Sequence, residues 1–125
     1  MLEMIYTKNR KQTILDKGNY NEFNYVIVSY GTHPCCYVEL PKGNKYYNQD
    51  YDDINISCHG GLTFADNRDF GNGEKFYIGW DYAHYNDYTS YFDGKKWTTK
   101  ELLKEVKEVI NQLVESEVKS GENFN

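Results

Sequence analysis

One long amphipathic segment closes a chain that elsewhere reads as strands, and this limits the architecture more than any other feature. From about Thr98 to Glu117, Leu102, Leu103, Val106, Val109, Ile110, Leu113 and Val114 recur at three- and four-residue spacing, so one helical stripe is apolar and needs a surface to pack on. Lys100, Glu101, Lys104, Glu105, Lys107 and Glu108 fill most of the other face, where opposite charges pair at i,i+3 and i,i+4. Thr98 with Glu101 is a capping box, which places the helix start. Residues 119–125, beginning Lys119-Ser120-Gly121, carry too little apolar surface to offset ordering and are expected to fray. The reading is one domain over 1–118 and a frayed tail over 119–125.

The surface under that stripe must be a sheet. Phe23 to Tyr30 is rich in β-branched and aromatic residues, and Cys35 to Leu40 follows the turn Gly31-Thr32-His33-Pro34, which predicts an antiparallel hairpin. Ile54 to Cys58, Gly61 to Ala65 and Lys75 to Asp81 also read as strands, with Asp66 to Gly73 as the turn between the last two. Met4 to Thr7, Thr13 to Asp16 and Tyr88 to Phe92 are further candidates, and Lys17-Gly18-Asn19 reads as punctuation. Lys45 to Asp53 reads as a loop or short helical turn. Strands without intervening helices exclude parallel crossovers. The fold class is therefore α+β, a mostly antiparallel sheet with one long C-terminal helix packed on one face.

Composition narrows the function. With 14 basic against 19 acidic residues the net charge is -5, so direct nucleic-acid binding lacks the positive field it needs. Such a surface suits a host protein with a basic groove instead. Three cysteines, two of them adjacent (Cys35, Cys36), make a disulfide framework improbable. With no secretory leader pattern and no apolar run near membrane-spanning length, a reduced cytoplasmic protein off the membrane is expected. Thirteen tyrosines supply rings with polar tips, which favour binding surfaces.

Potential chemistry concentrates between Cys58 and His84. Two glycines after His59 permit positive φ or close approach to a ligand, although a bulge beside an anchored His59 explains them equally. Asp81 stands three residues before His84, close enough for a carboxylate to hold an imidazole in one tautomer. Cys58, His84 and Asp81 would then be nucleophile, base and orienter, and His59, Asp81 and His84 a metal-binding set. A structural Asp81–His84 pair in a turn is the plainer reading. No recognised catalytic motif is present, so neither a metal nor another cofactor is expected. Asp50, Asp52 and Asp53 lack the glycine and distal glutamate of a calcium loop. They form, with Tyr46, Tyr47, Tyr51, Tyr82, Tyr85, Asp87 and Tyr88, an expected acidic and aromatic binding surface.

The order Tyr51-Asp52-Asp53-Ile54, then His59-Gly60-Gly61-Leu62-Thr63-Phe64-Ala65, then Ile78-Gly79-Trp80-Asp81-Tyr82-Ala83-His84 with Asp87 resembles a group of small bacteriophage and prophage proteins. The likeness covers about a third of the chain. That group brings no assigned activity or catalytic residues, so the resemblance implies context only: a phage accessory protein in the host bacterial cytoplasm. By analogy of class with anti-CRISPR proteins and nucleotide-signal sponges, the expected function is non-enzymatic counter-defence, either blocking a host immune protein or sequestering a small nucleotide-like ligand. The competing expectation is a small hydrolase or metal-dependent enzyme using His59, Asp81 and His84.

Overall fold

The computed structural model describes residues 4–7, 10–31, 33–83, 87 and 94–122. Among these, β1 (Met4–Thr7), β2 (Arg10–Tyr20), β3 (Phe23–Ser29), β4 (Pro34–Glu39), β5 (Phe64–Asp69) and β6 (Glu74–Asp81) form one sheet, followed by α1 (Thr99–Glu122). Strand order is β1-β2-β3-β4-β6-β5, and every pairing is antiparallel. The fold is α+β, with the helix on one face of the sheet. No described helix is long and apolar enough to cross a membrane.

Alternation along the central strands makes two apolar layers. Phe23, Tyr25 and Ile27 of β3, Cys36 and Val38 of β4, and Phe76, Ile78 and Trp80 of β6 pack with Leu102, Val106, Val109, Ile110 and Leu113 of α1. Val26, Val28, Cys35, Tyr37 and Tyr77 turn to the other face, where Phe70 joins them. Both faces of β3 and β4 are thus buried, and both strands read as near-continuous apolar runs. The capping box forms as predicted: Glu101 N–H donates to Thr98 Oγ1 at 3.2 Å and Thr98 N–H to Glu101 Oε1 at 3.0 Å. Lys95, bonded at 2.7 Å, and the cap together lower the Glu101 carboxyl to about 2. The cap's contribution is therefore complete above the ordinary glutamate range and is lost as pH falls toward about 2.

The second face is concave. β2 and β5 stand four strand spacings apart, about 19 Å in a flat sheet. Yet Arg68 Nη2 on β5 donates to Gln12 Oε1 on β2 at 2.8 Å. Side chains of that length cannot bridge a flat sheet, so the sheet coils over this face. The pairing shift between Ile14 and Asp16 supplies the bend in β2, as bulges do.

Several elements differ from the sequence reading. β2 runs through Lys17-Gly18-Asn19, paired with Asn24 to Val26, and the glycine there makes room for the Tyr25 ring, whose hydroxyl would lie 2.8 Å from a Cβ. β5 is shifted to Phe64–Asp69, so Asp66 to Asp69 is an edge strand paired on one side only, where polar residues are tolerated. Ile54 to Cys58 is not a strand. Its Ile54 and Ile56 are buried, but Ser57 bonds the Gln112 amide on α1 through both its N–H (2.7 Å) and its carbonyl (2.8 Å), in place of a sheet neighbour. α1 continues to Glu122, past the Glu117 end, since no glycine or proline interrupts it before Gly121. The strand expected at Tyr88 to Phe92 lies outside the described residues.

Leu113 of α1 is fully buried against the sheet. Leu113→Ala should cost about 2–5 kcal/mol in chemical denaturation, whereas a surface-scale loss below about 0.5 kcal/mol would mean that the stripe does not pack on the sheet.

Candidate functional site

The sequence-predicted histidine site folds into a closed polar knot. Gly61 N–H donates to the Cys58 carbonyl at 3.0 Å, closing a turn in which Gly60 has φ +70° and Gly61 φ +83°, values that need glycine. The turn presents His59 inward, its ring stacked on Tyr82 at 4.6 Å and edge-on to Trp97 at 5.0 Å. His59 Nε2–H donates to Asp87 Oδ2 at 2.7 Å, and Trp97 Nε1–H donates to Asp87 Oδ1 at 2.8 Å. From α1, Glu105 accepts the His59 backbone N–H at 3.1 Å and the Tyr82 hydroxyl, which in turn accepts from Trp80 Nε1 at 3.1 Å. These bonds tie the loop before β5, the end of β6 and the helix together.

The proposed catalytic residues do not assemble among the described residues. Asp81 accepts from Thr63 Oγ1 and from the Ala83 N–H, both at 3.2 Å, and the carboxylate on His59 is Asp87. His84, Tyr85 and Tyr88 lie outside the described residues. The Cys58 thiol is pushed up to about 12, first by burial and then by the Glu105 charge. A nucleophilic cysteine needs the opposite shift. Among the described residues, no three His, Cys, Asp or Glu side chains are grouped to hold a metal ion.

The expected acidic and aromatic surface is only partly a surface. Asp50, Tyr51, Asp52 and Asp53 are exposed on a single 3-10 turn, and Tyr47 is half-buried against Phe76. Tyr46, Tyr82 and Asp87 are buried, which corrects the expectation that they face a partner. Tyr46 turns inward because its N–H bonds the Asn44 side-chain oxygen at 2.9 Å, folding the loop back on the core. Tyr82 and Asp87 are taken up by the knot.

The open chemistry lies on the other face of the sheet. A cleft of about 690 Å³ is lined by Tyr30, His33, Tyr37, Phe64, Arg68 and Asp81, among others. Its floor is packed over position 79, which carries no side chain. Register places Gly79 between Tyr37 and Phe64, and a Cβ there would lie 2.6 Å from Tyr37 Cδ1. The two rings instead meet edge to face at 5.3 Å across the glycine. Tyr30 and Tyr37 share a hydroxyl hydrogen bond of 2.8 Å, and burial raises the Tyr37 phenol so that it stays protonated. The Arg68 guanidinium sits 5.4 to 5.9 Å from the ring centres of Phe70, Tyr37, Phe64 and Tyr30. Its hydrogen-bond partner is the neutral Gln12 amide, itself 1% exposed, and no carboxylate lies in ion-pair range of it among the described residues.

The sequence reading missed Arg68, Phe64, Tyr37 and Gln12 as a group. Arg68 stood in a stretch read as a turn, and its partners come from its own edge strand, from the central β4 and from β2, four strand spacings away. Alternation of Phe64, Asp66 and Arg68 along one strand face was the available signal, and the polar residues around them hid it. The chain matches no protein-family model, no curated protein and no solved structure.

Two outcomes test this geometry. Because the Cys58 thiol lies near 12 rather than its ordinary 9.0, its thiolate fraction at pH 8 should be about a thousandfold lower than that of an unperturbed thiol. Alkylation followed by mass spectrometry should show Cys58 nearly inert at pH 8, and modification at ordinary thiol rates would contradict the burial described. Glu105→Ala strands the donors of Tyr82 and His59 and should cost about 1–3 kcal/mol in denaturation.

Proposed function

We propose that this chain is a non-enzymatic binding protein that sequesters a small ligand in the cleft beside Arg68, acting as a phage-encoded counter-defence factor in a bacterial host. The observation carrying this reading is a half-buried guanidinium that opens on an aromatic-walled cavity with no carboxylate in ion-pair range among the described residues. Pockets that combine apolar walls with a few convergent polar groups are where proteins hold small molecules. The likeness of the His59–Ala65 and Ile78–His84 segments to phage and prophage proteins supports the biological setting. Cys58, held protonated, argues against a hydrolase that uses it as the nucleophile.

A second reading, obstruction of a host protein with a basic surface, is favoured by the exposed run Asp50, Tyr51, Asp52 and Asp53. Tyr51 is 44% exposed between carboxylates, an arrangement that steers a cationic partner.

One pair of measurements separates the two. Native mass spectrometry of the protein mixed with the low-molecular-mass fraction of a bacterial lysate should reveal a bound small molecule that Phe64→Ala loses. Absence of any bound mass, together with a protein partner whose capture is weakened by salt and by Asn at positions 50, 52 and 53, would replace the first reading with the second.

A further inference from the structure

We infer that the ligand of this cleft is a nucleoside monophosphate, with its phosphate on Arg68 and its base against the half-buried Tyr30 and Phe64 rings; this rests on the reading of the cleft as a ligand site. Charge is the first argument. In a chain of net charge -5, Arg68 is a cation whose one hydrogen-bond partner among the described residues is the Gln12 amide. Aromatic rings surround the guanidinium within 6 Å, and Gln12 occupies one of its five N–H donors. Its remaining donors form the planar fork that matches phosphate oxygens in a bidentate bond.

Size and wall chemistry add the rest of the molecule. A cavity of about 690 Å³ is far larger than one phosphate needs and falls in the range that encloses drug-sized ligands. Its aromatic rings offer a stacking surface, which any nucleobase can use through its π-face. Asp81 and Thr63 line the same cleft and are bonded to each other at 3.2 Å. A carboxylate there accepts from hydroxyl or amine donors and repels additional anionic groups. Among the described residues this cavity holds one arginine and one carboxylate, which fits a ligand with a single phosphate and a donor-rich sugar and base better than a di- or triphosphate.

The test is calorimetric titration at low ionic strength with AMP, GMP, CMP and UMP, and with adenosine, inorganic phosphate, ATP and indole-3-acetate as comparison probes. At least one monophosphate should bind, with adenosine, phosphate and ATP each weaker by about tenfold or more. Arg68→Gln should weaken that monophosphate by about tenfold or more. This variant removes the charge and keeps a polar side chain at position 68, and an unchanged circular dichroism melt would show that it folds. Phe64→Ala should weaken adenosine and monophosphate alike, as a wall residue would. Equal affinity for adenosine and AMP, or an Arg68→Gln variant that binds as the wild type does, would overturn the phosphate assignment. Tighter Arg68-dependent binding of indole-3-acetate than of any monophosphate would overturn the nucleotide and keep the cleft. If no probe binds while the lysate ligand is still retained through Phe64, the class is wrong and the ligand site stands; if the lysate ligand is absent as well, both fail.

Discussion

The cleft on the sheet face opposite the helix rests on two backbone features, a bulge in β2 and Gly79 near the end of β6. The shift between Ile14 and Asp16 bends β2 over that face until Gln12 meets Arg68 from the far edge strand. Gly79 leaves the space in which Tyr37 lies and across which Phe64 meets it. Without the bend the face would be a flat apolar layer facing water; with a side chain at position 79, Tyr37 would have to move and the floor of the cleft with it. The missing Cβ seats the Tyr37 ring in the floor of the cleft, and the extra residue in β2 bends the sheet over it.

The two faces treat their polar groups differently. Beneath α1, the His59 imidazole, the Asp87 carboxylate, the Tyr82 hydroxyl and the Trp80 and Trp97 indoles bond to one another or to Glu105. This accounts for polar residues at a helix–sheet junction, because buried donors left unbonded cost more than bonded ones contribute. On the concave face, a guanidinium is taken partly out of water and given a neutral amide. Stability alone would favour a carboxylate or an apolar residue there, and local departures of this kind concentrate at binding sites.

Much of this architecture was legible from residue order. The α1 stripe and the Thr98–Glu101 cap, the β3–β4 hairpin, β6 and the short β1 each carry a periodic or capping signal that depends on neighbours in sequence. Where the reading failed, the deciding partner was distant. Ile54 and Ile56 alternate as a strand would, but Gln112 on the helix takes the Ser57 backbone bonds, so the segment packs without pairing. Asp66 to Asp69 has the composition of a turn, yet it lines the edge of β6, where one unpaired side makes polar residues acceptable. Tyr46 looked like a surface ring until Asn44 folded its loop inward. The cleft was the least legible part of all, since Gln12, Tyr37, Arg68 and Gly79 have no sequence relation to one another and meet only because the sheet coils.

The central claim is that Arg68 is held for a ligand and is dispensable to the fold. Its most direct test is the denaturation free energy of the double variant Gln12→Leu with Arg68→Met, which replaces both members of the bridging bond by unbranched or compact apolar side chains and leaves no buried amide unpaired. The account predicts a stability within about 1 kcal/mol of the wild type or above it, together with loss of the bound small molecule, because exchanging both partners of a hydrogen bond for apolar groups is close to neutral. A loss of more than about 3 kcal/mol, the scale of a disrupted core, would contradict it and make Arg68 a structural strut of the coiled sheet.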